Sequence, residues 1–478
     1  MKIDNLLTLF KNKTTLILSD MYPPFVVGGA EISLQLQISC LNEDTRKKIL
    51  VVIFSDLDQI NISRIDSVDV VSIPTQRYWH KNQSLSFLYK YYKGSNKVYK
   101  YLVRFLARIL NCINLGKIKK RLNIIYLTKF SRVKGGISKE ILPEHRKEDY
   151  LYLKKIITSL PIKKILCNNT RSITLASRLD EDNPEIWQAL AKYAYVRDQR
   201  FSCVRHNQAF YTNEKLCKSC DFKCTNEDIS TKHRKHLKIY LKSLRDFRQN
   251  ALNKFDNIFV SSIYSANLVN QFIDKSISVL GNPIENQEFI YQKTCDSFQD
   301  PQNIILIVGS LSEPKGQFEF IKNSVDFLKE NPSYIIYFAG RGPRMQKVIE
   351  IFAKRENISN QILFKGFIER EKVYELMTLS SVIVGTSISP ESFGRIPFEC
   401  ASVNRPYVGF NVGAIPENVP EKMLAPYGDY EALHKLIKNA INNKAQSRKN
   451  IELYKKDLLI NNQWQKIGKT IFKKAFEN

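Results

Sequence analysis

Two carboxylates, Glu391 and Glu399, stand eight residues apart around a Phe-Gly turn and ahead of an apolar, helix-like run. A glycine-containing turn that leads into a helix N-terminus presents backbone N–H groups and the positive end of the helix dipole. Both features suit an anion such as a diphosphate. The second carboxylate would lie inside the helix, where it can accept hydrogen bonds from hydroxyls such as those of a ribose. The pattern indicates a nucleotide-sugar site.

Three further segments carry signals of the same type. Gly309-Ser-Leu-Ser-Glu-Pro-Lys-Gly316 follows a predicted strand and opens a helix, which places Lys315 to meet a diphosphate. Gly340-Arg-Gly342 and Phe364-Lys-Gly366 also follow strands, and glycine there lets the backbone approach a ligand closely. One such segment is usually only a turn. All four, however, follow the carboxyl ends of successive strands, where an open α/β sheet binds its ligand.

The elements that must position these segments follow an α/β pattern along the chain. Strands alternating with helices predict two doubly wound, Rossmann-like domains with parallel sheets. We predict an N-terminal domain over 1–285, a second domain over 286–459 and a terminal helix over 460–478. Within the first domain, 80–160 is predicted to be a basic helical insertion. Residues 200–250 hold a cysteine cluster and a second basic helix.

Positive charge is concentrated in one part of the chain. The net charge is +26, and 19 Lys/Arg stand against 4 Asp/Glu between residues 91 and 164. Such a segment attracts the phosphates of nucleic acid or of anionic lipid. Within it, 101–121 has the apolar spacing of a basic amphipathic helix, which suits a membrane surface. A core-facing helix with a solvated basic side fits that spacing equally well.

Composition narrows the class of protein. A length of 478 residues with 43% hydrophobic content allows two or three globular domains. There is no run of 18 apolar residues, so no membrane-spanning helix is predicted. The first residues show a very short apolar core without a cleavage site, so we expect a cytoplasmic protein. The basic segment 91–164 would hold it at the inner membrane face. No nucleic-acid partner is expected, because 91–164 lacks a recognisable nucleic-acid motif.

Four cysteines, Cys203, Cys217, Cys220 and Cys224, fall within 22 residues. The Cys217-Lys-Ser-Cys220 spacing can present two thiolates to one tetrahedral ion, and His206 is an alternative ligand. Zinc is favoured over disulfides in a cytoplasmic protein, and a closed site would be structural. Four unpaired thiols on a polar loop are the alternative. The remaining cysteines are predicted to be buried packing residues: Cys40, Cys112, Cys167, Cys295 and Cys400.

These motifs resemble those of family 4 glycosyltransferases, which have the GT-B fold of two Rossmann-like domains facing a cleft. The resemblance is carried by 303–420 and more faintly by the glycine loop Asp20–Glu31. It implies transfer of a sugar from a UDP- or GDP-linked donor with retention of configuration and without a metal or cofactor. It also implies that the terminal helix crosses back to the N-terminal domain. Since 91–164 would hold the enzyme at an anionic membrane, we expect a glycan or lipid-linked acceptor in cell-surface polysaccharide synthesis.

The resemblance assigns roles to the residues of the acidic motif. Lys315 would bind the donor diphosphate, and Glu399 would bind the ribose hydroxyls. Glu391 would face the donor sugar as a catalytic residue, with the backbone N–H groups of Phe393 and Gly394 on the sugar hydroxyls.

The same resemblance assigns roles to glycines. Gly28 and Gly29 would let the N-terminal loop approach the donor phosphate and the acceptor. Gly340 and Gly342, together with 364–366, would surround the nucleoside.

Two positions depart from the family pattern. Ser310 replaces the arginine that usually pairs the phosphates with Lys315, and either Arg344 or Arg395 is a candidate substitute. The pair Arg197-Asp198 stands where many members carry His-Asp. Either Asp198 or Arg197 would then take a changed role in the chemistry, or the pair would be a surface ion pair.

Two readings other than a working transferase remain open from the sequence. The first is a non-catalytic protein that binds phosphate or nucleic acid through the basic segment. The second is a degenerate transferase kept as a scaffold, which the departures at Ser310 and Arg197 suggest.

Overall fold

The structure is a computed structural model that describes 7–23, 29–55, 59–74, 147–203, 211–212, 215–216, 231–283, 302–443 and 463–477. The predicted amphipathic helix over 101–121 lies outside these ranges, as do Gly28, Cys217, Cys220 and Cys224. The chain divides into two units. The first takes Met1–Val27, Asn42–Phe259 and Val269–Ser276, and the second takes Gly28–Leu41, Val260–Leu268 and Ile277–Asn478.

The strands are numbered in chain order. They are β1 Thr15–Ser19, β2 Ile49–Ser55, β3 Asn61–Ile65, β4 Val68–Pro74, β5 Lys164–Cys167, β6 Ala191–Val196, β7 Tyr211–Thr212, β8 Lys215–Leu216, β9 Asn257–Val260, β10 Ile277–Val279, β11 Gln302–Val308, β12 Ile335–Ala339, β13 Ile362–Gly366, β14 Ser380–Gly385, β15 Tyr407–Phe410 and β16 Leu424–Ala425.

The α-helices are numbered in the same way. They are α1 Gly29–Ser39, α2 Glu43–Lys47, α3 Lys147–Ser159, α4 Thr170–Ala176, α5 Leu179–Asp182, α6 Pro184–Ala189, α7 Thr231–Asn253, α8 Ile263–Asn270, α9 Gln317–Asn323, α10 Val325–Glu330, α11 Pro343–Arg355, α12 Arg370–Leu379, α13 Ile396–Ser402, α14 Tyr430–Asn442 and α15 Gln463–Glu477.

The first unit is built on a sheet in which β9, β6, β5, β1, β2, β4 and β3 are neighbours in that order. The central strands pair in parallel, and β1 is buried along its whole length. Such strands are rich in aliphatic residues because helices cover both faces of a parallel sheet. The predicted α/β architecture is therefore confirmed in this unit.

The prediction of a wholly parallel sheet is wrong at one edge, where β3 runs antiparallel to β4. The two strands are joined by Asp66 and Ser67, which have φ values of 50° and 69°. Two successive positive φ angles form the tight turn that matches the twist of a two-residue hairpin. Asp-Ser is a weak hairpin signal because it lacks the glycine that such turns usually carry.

Only the last part of the predicted basic insertion falls in the described residues, and there it forms α3. Its residues Tyr150, Leu153 and Ile156 are buried in the first unit. This helix therefore contributes to the core of the unit. The predicted second basic helix is observed as α7, whose later turns bury Leu244 and Leu252.

The second unit contains a parallel six-stranded sheet in the order β13-β12-β11-β14-β15-β16. The central strand β11 lies between β12 and β14, so the chain continues first to one side of β11 and later to the other. An open α/β sheet has its ligand crevice at such a reversal, outside the carboxyl ends of the strands. The loops that follow β11, β12, β13 and β14 all carry predicted site residues.

The predicted burial of cysteines holds for Cys167 and Cys400, which are fully buried. The prediction is wrong in degree for Cys40, which is only partly buried. Cys40 directly follows the last residue of α1, two residues before the exposed segment 42–44, and its Sγ donates to Leu36 O at 3.1 Å. Cys112 and Cys295 lie outside the described residues. Within the described ranges, we find no helix with the length and apolar character needed to span a bilayer.

His434 on α14 packs inside the second unit. Its ring stacks on Phe327 with the centroids 4.5 Å apart, and its Nε2 lies 2.8 Å from Ser324 Oγ. Ser324 Oγ already donates to Phe320 O, so the network assigns the donor role to His434 Nε2–H. Burial lowers the pKa of His434 to about 4.

We expect His434 to make the free energy of unfolding depend on pH. The unfolded chain takes up a proton near the ordinary histidine pKa of 6.5, whereas the folded chain resists it until about pH 4. Stability is therefore complete above pH 6.5 and falls as the pH drops to 4, by up to about 3 kcal/mol. Melting curves of the wild type and His434→Leu between pH 7 and 4 test this. The wild-type melting temperature should fall more steeply, and parallel curves would contradict the prediction.

Candidate functional site

The loop after β11 presents Lys315 at the carboxyl edge of the second sheet. Lys315 closes a short 3-10 turn, Glu313–Lys315, and Gly316 follows with φ of +67°. A Cβ at Gly316 would overlap Thr386 O, so only glycine fits both the conformation and the space. Thr386 Oγ1 in turn donates to Lys315 O at 2.7 Å.

A second set of hydrogen bonds fixes the same turn. Pro314 O accepts the backbone N–H groups of Ile388 and Ser389, at 3.1 and 3.0 Å. The loop after β11 is therefore attached to the loop after β14. These backbone hydrogen bonds alone hold the backbone of Lys315 in place, independently of its side-chain contacts.

Lys315 and Glu391 form a direct ion pair in which Lys315 Nζ lies 2.5 Å from Glu391 Oε1. Ser387 Oγ donates to the same carboxylate oxygen at 2.6 Å. Burial raises the pKa of Glu391, but Lys315 and Ser387 together lower it by more than burial raises it. The pKa of Glu391 therefore lies below its ordinary value. Glu391 is therefore ionised at neutral pH. Sequence reasoning found both members of the pair but missed Ser387, which has no distinguishing spacing.

The glycines predicted to meet the nucleoside lie where three backbone segments touch. A Cβ at Gly340 would overlap Gly309 O, and Gly340 N–H donates to Gly366 O at 2.8 Å. Gly342 packs against the backbone of Leu311 in the same way. The loops after β11, β12 and β13 are therefore in contact without intervening side chains.

Ser310 is exposed on the loop after β11. Its carbonyl accepts Gln317 Nε2 at 3.0 Å, and Gln317 Oε1 accepts the N–H of Ser312 at 3.2 Å. The buried Gln317 therefore holds both sides of the loop, a role that the sequence did not indicate. Of the two candidate substitutes for the missing arginine, Arg344 is exposed on the first turn of α11. Arg395 instead contacts Glu399 and Gly29.

Glu399 lies on α13 with its side chain 12% exposed between two arginines. Its Oε1 is 3.6 Å from Arg395 Nε and 3.7 Å from Arg370 Nη2. Arg395 Nη1 donates to Gly29 O and to Ser33 Oγ, at 3.1 and 3.0 Å. The structure therefore brings Glu399 and Gly29 together through Arg395, all within the second unit.

Phe393 and Gly394 form the turn between the two carboxylates. The Phe393 ring is buried and stacks on Phe398 with the centroids 5.2 Å apart. Gly394 lies against the side chain of Ile415. The turn is therefore packed against Phe398 and Ile415.

In the first unit, Arg197 and Asp198 follow β6. Arg197 is 9% exposed, its guanidinium lies 3.4 Å from the centroid of the Tyr195 ring, and its Nε donates to Asn168 Oδ1 at 3.0 Å. Asn168 Nδ2 donates to Ser19 Oγ at 3.2 Å. The alternative of a surface ion pair is therefore wrong for Arg197, because its side chain lies inside a buried polar network.

Asp198 is partly exposed and well anchored. Its Oδ1 accepts Thr170 Oγ1 and the backbone N–H of Arg200, both at 2.9 Å. Its Oδ2 lies 3.6 Å from Arg200 Nε. The carboxylate is therefore fixed at the carboxyl end of β6.

Next to this network lies an ion cluster that sequence reasoning missed. Arg171 Nη2 donates to the buried Asp149 at 3.1 Å, and Nη1 lies 3.9 Å from Asp20 Oδ1. The three residues are widely separated along the chain, so no local spacing could reveal them. They connect α3 to α4 and to the residue that follows β1.

The predicted metal site lies mostly outside the described residues. Of its four cysteines only Cys203 is described, and its backbone N–H donates to Gln199 O at 2.7 Å. Across the described ranges, no group of three or more histidine, cysteine, aspartate or glutamate side chains could hold a metal ion. The zinc site therefore stays a prediction.

Sequence comparison places residues 293–457 in the family model of glycosyl transferases group 1. Over 170 residues the chain is 28% identical to the phosphatidylinositol N-acetylglucosaminyltransferase GPI3 subunit of Saccharomyces cerevisiae, covering 34% of this chain and 36% of that protein. It is 26% identical to the 2-deoxystreptamine N-acetyl-D-glucosaminyltransferase of Streptomyces fradiae, covering 32% and 37%. The matched stretch thus spans little more than a third of these relatives.

Structure comparison extends over nearly the whole chain. Anabaena HepE in complex with UDP and glucose superposes with a TM-score of 0.56 at 16% identity, covering 97% of this chain and 99% of that one. The trehalose-6-phosphate synthase OtsA gives 0.62 at 10% identity, covering 97% and 99%. This chain therefore has a GT-B-like α/β fold with two mainly parallel sheets, and its segment 293–457 carries the sequence pattern of glycosyl transferases group 1.

Proposed function

We propose that this protein is a retaining glycosyltransferase that moves a sugar from a nucleotide-sugar to a glycan or lipid-linked acceptor. The observation that carries the proposal is the Lys315–Glu391 pair at the reversal point of the second sheet. It combines a cation suited to a diphosphate with a carboxylate suited to sugar hydroxyls, and glycine-lined backbone lies beside both.

The chemistry follows from where charge develops. When the bond between the anomeric carbon and the diphosphate oxygen of the donor breaks, negative charge grows on the leaving diphosphate and positive charge on the anomeric carbon. Lys315 would transfer its hydrogen bond from Glu391 to the diphosphate and stabilise the leaving group. Glu391, released from the lysine, would accept hydrogen bonds from the sugar hydroxyls.

Glu399 would hold the ribose. A carboxylate accepts hydrogen bonds from two neighbouring hydroxyls, and the guanidinium groups of Arg395 and Arg370 set its orientation. Asp198, fixed at the carboxyl end of β6, remains our candidate for a role in the acceptor chemistry.

We propose a UDP-linked donor ahead of a GDP-linked one, with N-acetylglucosamine as the first sugar to test. HepE binds UDP and glucose, and the two sequence relatives are named as N-acetylglucosaminyltransferases. The basic sequence over 91–164 supports a cytoplasmic enzyme at the inner membrane face, acting on a lipid-linked or surface glycan. A structural zinc at Cys203, Cys217, Cys220 and Cys224 is a separate proposal, which metal analysis of wild type and Cys217→Ser would test.

A donor titration tests the central proposal. Purified protein is mixed with UDP, GDP, UDP-N-acetylglucosamine, UDP-glucose or GDP-mannose, and melting temperature and release of nucleoside diphosphate are followed. One nucleotide class should stabilise the fold by about 2.7 kcal/mol at 100 times its dissociation constant. ATP serves as the control, because a chain of net charge +26 attracts any polyphosphate. If the uridine and guanosine compounds behave like ATP and none is consumed, the proposal fails.

A further inference from the structure

The carbonyl of Ser392, directly after Glu391, is bound by two serine hydroxyls. Ser261 Oγ donates to it at 2.9 Å and Ser265 Oγ at 3.3 Å. Both serines are buried, at 1% and 5% exposure. Ser262 Oγ donates to Ser265 Oγ at 3.0 Å, which directs the Ser265 proton towards the Ser392 carbonyl.

The carbonyls on either side of Ser392 are bound as well. Glu391 O accepts the backbone N–H of Ala414 at 2.9 Å, and Phe393 O accepts Asn418 Nδ2 at 3.0 Å. Three successive carbonyls of the turn therefore have donors supplied by the protein. We call Ser261, Ser265, Ala414 and Asn418 the turn support.

Glu417 joins the two halves of the turn support. Its carboxylate accepts the backbone N–H groups of Ile263 and Tyr264 at 2.9 and 2.6 Å, on the first turn of α8. Acidic groups are favourable at a helix N-terminus, so this contact keeps the start of α8, with Ser265 on it and Ser261 just before it, beside the segment that carries Asn418.

The geometry of the peptide bond turns these contacts into a constraint on the donor site. In a trans peptide the C=O and the following N–H point in opposite directions within one plane. Fixing Ser392 O therefore fixes the Phe393 N–H on the opposite side, and fixing Phe393 O does the same for the Gly394 N–H. These are the two N–H groups that the family resemblance would place on the hydroxyls of the donor sugar.

We propose that Ser261, Ser265 and Asn418 are positioning residues that orient the Phe393 and Gly394 N–H groups towards the donor sugar. The inference rests on the proposed function and adds to it residues distant in sequence from the acidic motif. Donors held in place before the sugar arrives lose no orientational freedom on binding. Without the turn support, the protein should bind the nucleotide-sugar more weakly, whereas its affinity for the nucleoside diphosphate should stay unchanged.

The test compares affinities for UDP and UDP-N-acetylglucosamine, with GDP and GDP-mannose as the second pair. The variants are Ser261→Ala, Ser261→Ala/Ser265→Ala and Asn418→Ala. The matched control is Ser380→Ala, which also removes a buried hydroxyl from a carbonyl, that of Leu376, at the amino end of β14. Calorimetry should show the nucleotide-sugar bound about fivefold to tenfold more weakly by each variant, with the nucleoside diphosphate within about twofold.

The outcomes separate the inference from the function on which it rests. If wild-type protein binds neither pair, the proposed function fails. If wild type binds but the variants lose both members of a pair equally, or lose neither, the positioning role is wrong. Should the double variant fail to fold, the single Ser261→Ala and Asn418→Ala variants decide the question by the same ratio of affinities, that for the nucleotide-sugar over that for the nucleoside diphosphate.

Discussion

Replacing Lys315 by methionine should lower the turnover of the nucleotide-sugar about 100-fold to 1,000-fold. The change keeps most of the length of the side chain but removes the cation that we propose faces the leaving diphosphate, and loss of one such group has effects of this size. Affinity for the free nucleoside diphosphate should fall about tenfold or more, because a charge-assisted hydrogen bond is lost. Single-turnover assays and calorimetry measure the two effects separately.

The control for this change is Lys322→Met. Lys322 is an exposed lysine on α9 whose partner is Glu319, at 3.6 Å, so its replacement removes the same charge from the same unit. Turnover in this variant should stay within about twofold of the wild type, since exposed ion pairs contribute little. If Lys315→Met were as active as the control variant, the proposed role of Lys315 in stabilising the leaving group would be wrong.

Replacing Glu399 by glutamine should weaken donor binding about 10-fold to 100-fold. The ribose hydroxyls would lose a charged acceptor, and Arg395 and Arg370 would lose the carboxylate between them. The decisive comparison uses UDP and its 2′,3′-dideoxy analogue. Wild-type protein should prefer UDP strongly, and the Glu399→Gln variant should barely distinguish the two.

Glu431→Gln is the matched control for Glu399. Glu431 also lies on a helix of the second unit, where its carboxylate pairs with Lys435 at 2.8 Å, but it is largely exposed. This variant should keep the wild-type preference for UDP. An undiminished preference in Glu399→Gln would show that the ribose is held by another group.

The sequence was sufficient to predict the clustering of those candidate site residues that lie on loops after strands. Lys315, Gly340 and Glu391 come after β11, β12 and β14, and adjacent parallel strands bring such loops to one edge. Local glycine and lysine spacing therefore predicted a three-dimensional cluster. Within the sheet of the first unit, the parallel prediction was wrong at the β3 edge, where the turn Asp66-Ser67 gave little warning.

The supporting contacts could not be predicted, because they join segments that are far apart along the chain. Arg395 reaches Gly29 and Ser33 across more than 360 residues, and Ser261 reaches Ser392 across 131. A lone arginine or serine in one sequence carries no mark of such a partner. Predicting them requires the packing of whole elements, which periodicity describes only for one element at a time.

The second unit is made of segments from different parts of the chain, which matters when the protein is divided into fragments. Helix α1 and the first six residues of α8 belong to that unit although they precede most of it in the sequence. A fragment beginning at residue 286 would leave Arg395 without Gly29 and Ser33, and the Ser392 carbonyl without its serines. The unit is encoded in three separate stretches of reading frame, so an independently folding version would have to join all three, for example by rearranging the order of the segments.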